Sequence, residues 1–119
     1  MPYPPGSESV TFDYGLADAA AQACTHAATS LHHATGRRHD LAAAAQSQWK
    51  GPFRDRFDGQ LHSIETAAGE LEADLRRLAG TIRSAAEAAR LENQRRSGLR
   101  AQYRHDHPDE FAPVGVGPR

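Results

Sequence analysis

The side chains of this chain with the widest chemical range are seven histidines, one cysteine and a row of arginines. His26, His32, His33 and His39 fall in the first half, His62 just past the midpoint, and His105 and His107 near the C-terminal end. His26 with His33, and His32 with His39, stand seven residues apart, whereas a helical zinc site sets two histidines at i and i+4. No carboxylate or cysteine completes a ligand set. The histidines therefore read as solvated or interface residues, with no metal; titrating near pH 6, they would loosen a helical dimer in an acidic compartment. Cys24 is single, which excludes an internal disulfide and a cysteine-based zinc site, and it lies in an alanine-rich face as a small packing residue. Ser63, Ser84 and Asp74 have no glycine-framed elbow, positioned base or oxyanion loop near them in sequence. No catalytic residue and no cofactor is assigned, and the chain reads as non-enzymatic. Arg90, Arg95, Arg96, Arg100 and Arg104 could follow a phosphate backbone, but Glu92, Asp106, Asp109 and Glu110 dilute them and no aromatics are interleaved. Nucleic acid is thus not the expected partner. A cytoplasmic coiled-coil regulator gripping nucleic acid through this Arg-rich end is the alternative reading.

Two helices must position these side chains. Val10-Thr11-Phe12 reads as extended, and Asp13 as an N-cap for a helix starting near Leu16. Apolar or small residues then recur in steps of three and four at Leu16, Ala20, Ala23, Ala27, Leu31, Ala34, Leu41 and Ala45, the period of a helix–helix seam. Arg38 interrupts that stripe, as a polar register device or a local fray. The second helix has the cleaner pattern: Phe57, Leu61, Ile64, Ala68, Leu71, Leu75, Leu78, Ile82, Ala85 and Ala89, among Asp, Glu, Arg, Gln and Ser. Heptads sustained this long predict coiled-coil-like packing. Helix 1 spans about 16–48 and helix 2 about 52–97, with Gly98 as the stop, giving lengths of roughly 50 Å and 65 Å. Between them stands Trp49-Lys50-Gly51, followed by Pro52. Gly51 can take the backbone angles of a sharp reversal and Pro52 suits the first position of a helix, so the two helices must lie antiparallel.

Composition sets the remaining limits. The 119 residues carry a formal net charge of −1, so no polyanionic partner is called for. Aromatics are only 7% of the chain and alanine dominates its apolar content, so the core of a lone hairpin is thin and a partner chain is expected. A second hairpin, completing a four-helix bundle dimer, is the simplest cover. Residues 1–15 and 98–119 are Pro/Gly punctuated and poor in periodic apolar residues, and read as flexible ends flanking a 16–97 hairpin. No basic segment followed by an apolar run opens the chain, and no stretch approaches the ~20 apolar residues of a membrane span. Export would have to follow a route without a cleaved signal peptide, and stable membrane insertion is not expected, since the apolar stripe is narrow and alanine-rich.

Trp49-x-Gly51 between two heptad helices, with the run Leu71-Glu72-Ala73-Asp74-Leu75-Arg76-Arg77-Leu78-Ala79-Gly80-Thr81-Ile82 behind it, resembles the WXG family of small early-secreted-antigen-like proteins of type VII secretion systems. The resemblance covers roughly Leu16 to Arg96. It implies a hairpin that dimerises with itself, with another WXG-type protein or with the helical N-terminus of a larger secreted toxin. It also implies export after synthesis in the cytoplasm, through recognition by a secretion ATPase, as substrate, co-secreted partner or adaptor. The hairpin and dimer seam would be Leu16, Leu31, Leu41, Phe57, Leu61, Ile64, Leu71, Leu75, Leu78 and Ile82. The family's export signal joins the Trp-x-Gly turn of one partner (here Trp49, Lys50 and Gly51) to a Tyr-x-x-x-Asp/Glu motif of the other. Tyr103 here meets Asp106 at the third place rather than the fourth. Either these two form a variant signal, or the partner carries the motif and this chain supplies the turn, which is the favoured reading.

Overall fold

The computed structural model describes residues 3–111, which form helix α1 (Tyr14–Gln46), helix α2 (Pro52–Asp106) and a 3-10 turn, Pro108–Phe111, with no strand among them. They fall into two compact units, one of residues 15–83 and one of residues 3–14 with 84–111.

In the first unit, α1 and the first part of α2 form an antiparallel hairpin. Its register is marked by three cross-helix polar pairs, each one heptad from the next. Gln46 Nε2 donates to Asp58 Oδ1 at 2.6 Å, His39 Nδ1 lies 3.6 Å from Glu65 Oε1, and His32 Nδ1 lies 3.1 Å from Glu72 Oε1. As the α1 number rises by seven the α2 number falls by seven, which only antiparallel helices allow.

The buried line of each helix runs in alternating steps of three and four. On α1 it passes through Ala21, Cys24, Ala28, Leu31, Thr35, Arg38, Ala42 and Ala45; on α2 through Leu61, Glu65, Ala68, Glu72, Leu75, Ala79 and Ile82. The fully covered members of this unit are all alanines: Ala21, Ala28, Ala42, Ala68 and Ala79. The sequence pattern and the structure therefore differ by about one position around the helix. Leu31, Leu61, Leu75, Ile82 and Phe57 are half-buried, whereas Ile64, Leu71 and Leu78 are about half exposed, and Leu16 and Leu41 are 67% and 74% exposed. Ranking positions by size of the apolar side chain draws the stripe through the leucines. The closest approach of two helices instead selects the smallest side chains, and Leu41, Ile64, Leu71 and Leu78 stand beside it.

Boundaries follow local chemistry. α1 begins directly after Asp13, the N-cap position. At its end Gln48 N donates to Ala45 O and Ser47 Oγ to Ala44 O, occupying carbonyls the helix no longer serves, and α1 closes at Gln46, two residues before the expected end. α1 stays helical through Gly36 and Arg38, so the interruption is not a fray. α2 continues past Gly98 to Asp106, overriding the expected end near residue 97. A lone helical Gly costs only about 1 kcal/mol against Ala, and Leu99, Arg100, Ala101 and Gln102 after it are strong helix formers. Pro108 supplies the actual stop. The helical residues 98–106 were assigned by the sequence pattern to a flexible tail; the rest of that tail, from residue 112, lies outside the described residues.

Residues 3–14, read from sequence as a free lead-in, lie along α2 in the second unit. Pro4-Pro5-Gly6-Ser7 forms a turn in which Gly6 has φ 81° and Ser7 N donates to Pro4 O at 3.3 Å. Proline at the second place and a positive-φ glycine at the third is the signature of a type II turn, so the same punctuation that reads as mobile also pre-sets a fold.

The alanine line yields a direct test. Ala28→Leu should destabilise the chain by about 1–3 kcal/mol, because a fully covered alanine leaves no room for a larger side chain. Urea unfolding followed by circular dichroism measures it.

Candidate functional site

The bend in the first unit is held from both sides. Gly51 has φ 80°, and Pro52 opens α2. Arg54 reaches back from the first turn of α2, donating through Nη1 to Gln46 O at 2.8 Å, with Trp49 O at 3.5 Å, while its Nε stands 3.3 Å from Asp58 Oδ2. One guanidinium thereby closes the last turn of α1 and ties it to the carboxylate that also accepts from Gln46. Trp49 is 37% exposed and meets Phe53 and Phe57 edge-on, with centroids 5.4 Å and 5.0 Å apart. Its indole is the centre of a small aromatic cluster at the bend, in which Phe53 is mostly exposed. Lys50 is exposed beside it.

One flank of the hairpin is apolar. Ala34, Leu41, Phe57, Leu61 and Ile64 wall a groove of about 450 Å³, with Arg37, Arg38 and Gln60 as its polar members. Phe57, Ile64, Leu71 and Leu78 follow at intervals of seven, so an open stripe of large side chains runs along α2 from the groove. Arg38 is half-buried and its Nη1 is shut away from solvent with no hydrogen-bond partner. The other flank carries His32 and His39, each against a glutamate. Among the described residues no group of three or more His, Cys, Asp or Glu side chains is placed to hold a metal ion, and no helix is long and apolar enough to cross a membrane.

In the second unit the Arg-rich end of α2 is bound up internally. Arg90 pairs with Glu87, and Arg95 and Arg96 both bond Glu92, at 2.6 Å and 2.8 Å. Hydrogen bonds from Arg95 and then Arg96 hold the Glu92 carboxyl down to about 2 from its ordinary 4.5. Tyr103 is half-buried, while Asp106, exposed in the last turn of α2, accepts from Gln102 Nε2. The fourth place after Tyr103, where the family motif has an acid, holds His107, whose ring stacks on Tyr103 at 4.1 Å and 18°. Tyr103 and Asp106 thus share the end of one helix. The involvement of Asn93 and Arg100 with residues 7–10 was missed from sequence; the only cue, a polar run continuing the seam spacing after Ala89, reads equally well as solvent-facing.

No protein-family model matches this chain, and neither curated proteins nor solved structures give a significant match to it.

Two outcomes follow. Gly51→Ala should cost about 1–2 kcal/mol from backbone conformation alone, since nothing lies within 4 Å of the added Cβ; thermal unfolding measures it, and Gly51→Asn should cost less. For Glu92 the folded value is depressed, so its contribution is present above its ordinary 4.5 and lost as pH falls toward 2. Carboxyl NMR titration of Glu92 checks this, with amide exchange around Arg95 and Arg96 rising over the same interval.

Proposed function

We propose that this chain is a WXG-type hairpin that acts by recognition rather than catalysis. It pairs through the open stripe with a second WXG-type hairpin, with a copy of itself, or with the helical N-terminus of a larger toxin, completing a four-helix bundle. The pair leaves the cell folded, through a type VII secretion system, as substrate, co-secreted partner or adaptor, and offers Trp49-Lys50-Gly51 to the secretion ATPase. Either Tyr103 and Asp106 are a variant tail signal or, as favoured, the partner carries the tyrosine motif and this chain supplies only the turn.

The observation that carries this reading is the open stripe of Leu41, Ile64, Leu71 and Leu78. Covering a methyl group gains about 0.8 kcal/mol, and covering a Leu or Ile side chain about 1.5–3 kcal/mol. A hairpin whose covered residues are alanines has used the smaller gains and left the larger ones to a partner. The aromatic cluster at the bend adds support: Trp49 is anchored by two rings yet keeps part of its indole outside, as a recognition residue must. The nucleic-acid reading loses ground, because Arg90, Arg95 and Arg96 are engaged by Glu87 and Glu92.

Co-expression with the product of the adjacent gene tests the proposal. A stable 1:1 complex is expected, and Leu71→Glu should weaken it at least about a hundredfold, the cost of forcing a charge into an apolar seam. Trp49→Ala should abolish export while leaving the complex intact. Unchanged export of Trp49→Ala would remove the signal role. Unchanged association of Leu71→Glu would remove the stripe as the interface.

A further inference from the structure

The last turns of α2 hold a contact set that the bundle reading does not use. Here α2 presents Asn93, Arg96, Arg100 and Tyr103, spaced three and four apart, and the N-terminal segment lies along them. Asn93 grips Val10 at both main-chain polar groups: Val10 N donates to Asn93 Oδ1 at 2.6 Å, and Asn93 Nδ2 donates to Val10 O at 3.2 Å. Arg96 Nη1 donates to Glu8 O at 2.8 Å, and Arg100 Nη1 to Ser7 O at 2.5 Å. Arg104 Nη1 donates to Tyr3 Oη at 3.0 Å, and the Tyr3 ring lies 6.0 Å from that of Tyr103.

These bonds have a common character. An amide side chain that both accepts from and donates to one residue's backbone imitates a strand neighbour. Two guanidinium groups then bind carbonyls, as charge-assisted bonds stronger than neutral ones. Among the described residues, these hydrogen bonds from α2 to residues 7–10 go to main chain, so the arrangement recognises a polypeptide backbone. At the far end the Tyr3 ring stands 6.0 Å from that of Tyr103, on which His107 also stacks at 4.1 Å.

We infer that the Asn93–Arg100 face of α2 is a groove for a peptide main chain, occupied by residues 7–10, and that the strap they anchor turns at Pro4–Ser7 and lays Tyr3 beside Tyr103, masking it. A partner that reads Tyr103 must first displace the strap, and the groove it vacates can accept an extended segment of that partner by the same main-chain bonds. The masking of Tyr103 stands on the contacts alone; its consequence for export rests on the reading of Tyr103 and Asp106 as a tail signal.

Nitration of tyrosine by tetranitromethane, resolved by peptide mass spectrometry on the full-length chain, tests the strap without reference to export. Val10→Pro deletes the amide donor to Asn93 and leaves both helices untouched; Asn93→Ala deletes the receiving side. Val10→Pro should raise the nitration rate of Tyr103 about fivefold, the shift in strap opening expected for one net hydrogen bond, and Asn93→Ala, which removes both bonds to Val10, at least as much, with helicity by circular dichroism unchanged. Glu8→Ala, which alters a strap side chain but no main-chain contact, should leave the rate as it is. A Tyr103 rate unaffected by both Val10→Pro and Asn93→Ala would overturn the strap, and a rise with Glu8→Ala equal to theirs would overturn main-chain recognition. Export of the Val10→Pro and Tyr103→Phe chains then judges the signal separately. Faster nitration with export indifferent to Tyr103→Phe leaves the strap standing and removes the tail signal.

Discussion

The rest of the structure depends on the closeness of two helices along a line of alanines. Ala21, Ala28, Ala42, Ala68 and Ala79 occupy the covered positions of the hairpin, and a side chain of one carbon sets how near the two backbones come. Larger side chains on the same line, Leu31, Leu61, Leu75 and Ile82, are only half-buried. Leu41, Ile64, Leu71 and Leu78 go to one flank, where they form an open stripe; on the other, His32 and His39 meet Glu72 and Glu65 across the helices. A seam built of leucine would have produced a self-sufficient hairpin with little left to offer a partner. A seam built of alanine leaves the hairpin short of burial and its best apolar surface outside.

The bend shows a similar division of labour. Its shape comes from the positive φ of Gly51 and the proline behind it, and its cohesion from Arg54, which bonds the last turn of α1 while meeting Asp58. Trp49 is therefore not required as the strut of the turn. It packs against two phenylalanines of α2 and keeps an edge outside.

At the other end of α2 the same helical spacing changes chemistry. After Ala89 the inward positions become Asn93, Arg96 and Arg100, long polar side chains that meet an extended segment where an alanine could not. Glu92 clamps Arg95 and Arg96, so Arg96 leaves the helix surface already oriented toward Glu8 O. Apolar side chains bind a helix by shape, whereas an extended strand has unserved carbonyls and amides that call for hydrogen bonds. One helix carries both solutions in succession.

The sequence alone determined that there are two long helices, that they reverse at Trp49-Lys50-Gly51 and Pro52, and that they lie antiparallel, because periodicity, a glycine and a proline are local signals. It could not determine which of two neighbouring stripes turns inward. The leucine stripe and the alanine stripe share the same heptad period, and only the approach of the other helix decides between volume and proximity. Nor could it extend α2 beyond Gly98 or give the N-terminal segment a place. Gly98 is a weak local stop that the strong helix formers after it outweigh, and the bonds of Asn93 to Val10 join residues more than eighty positions apart. Local backbone preference is written residue by residue; the choice of packing face and the partners of long-range hydrogen bonds exist only once the chain is folded.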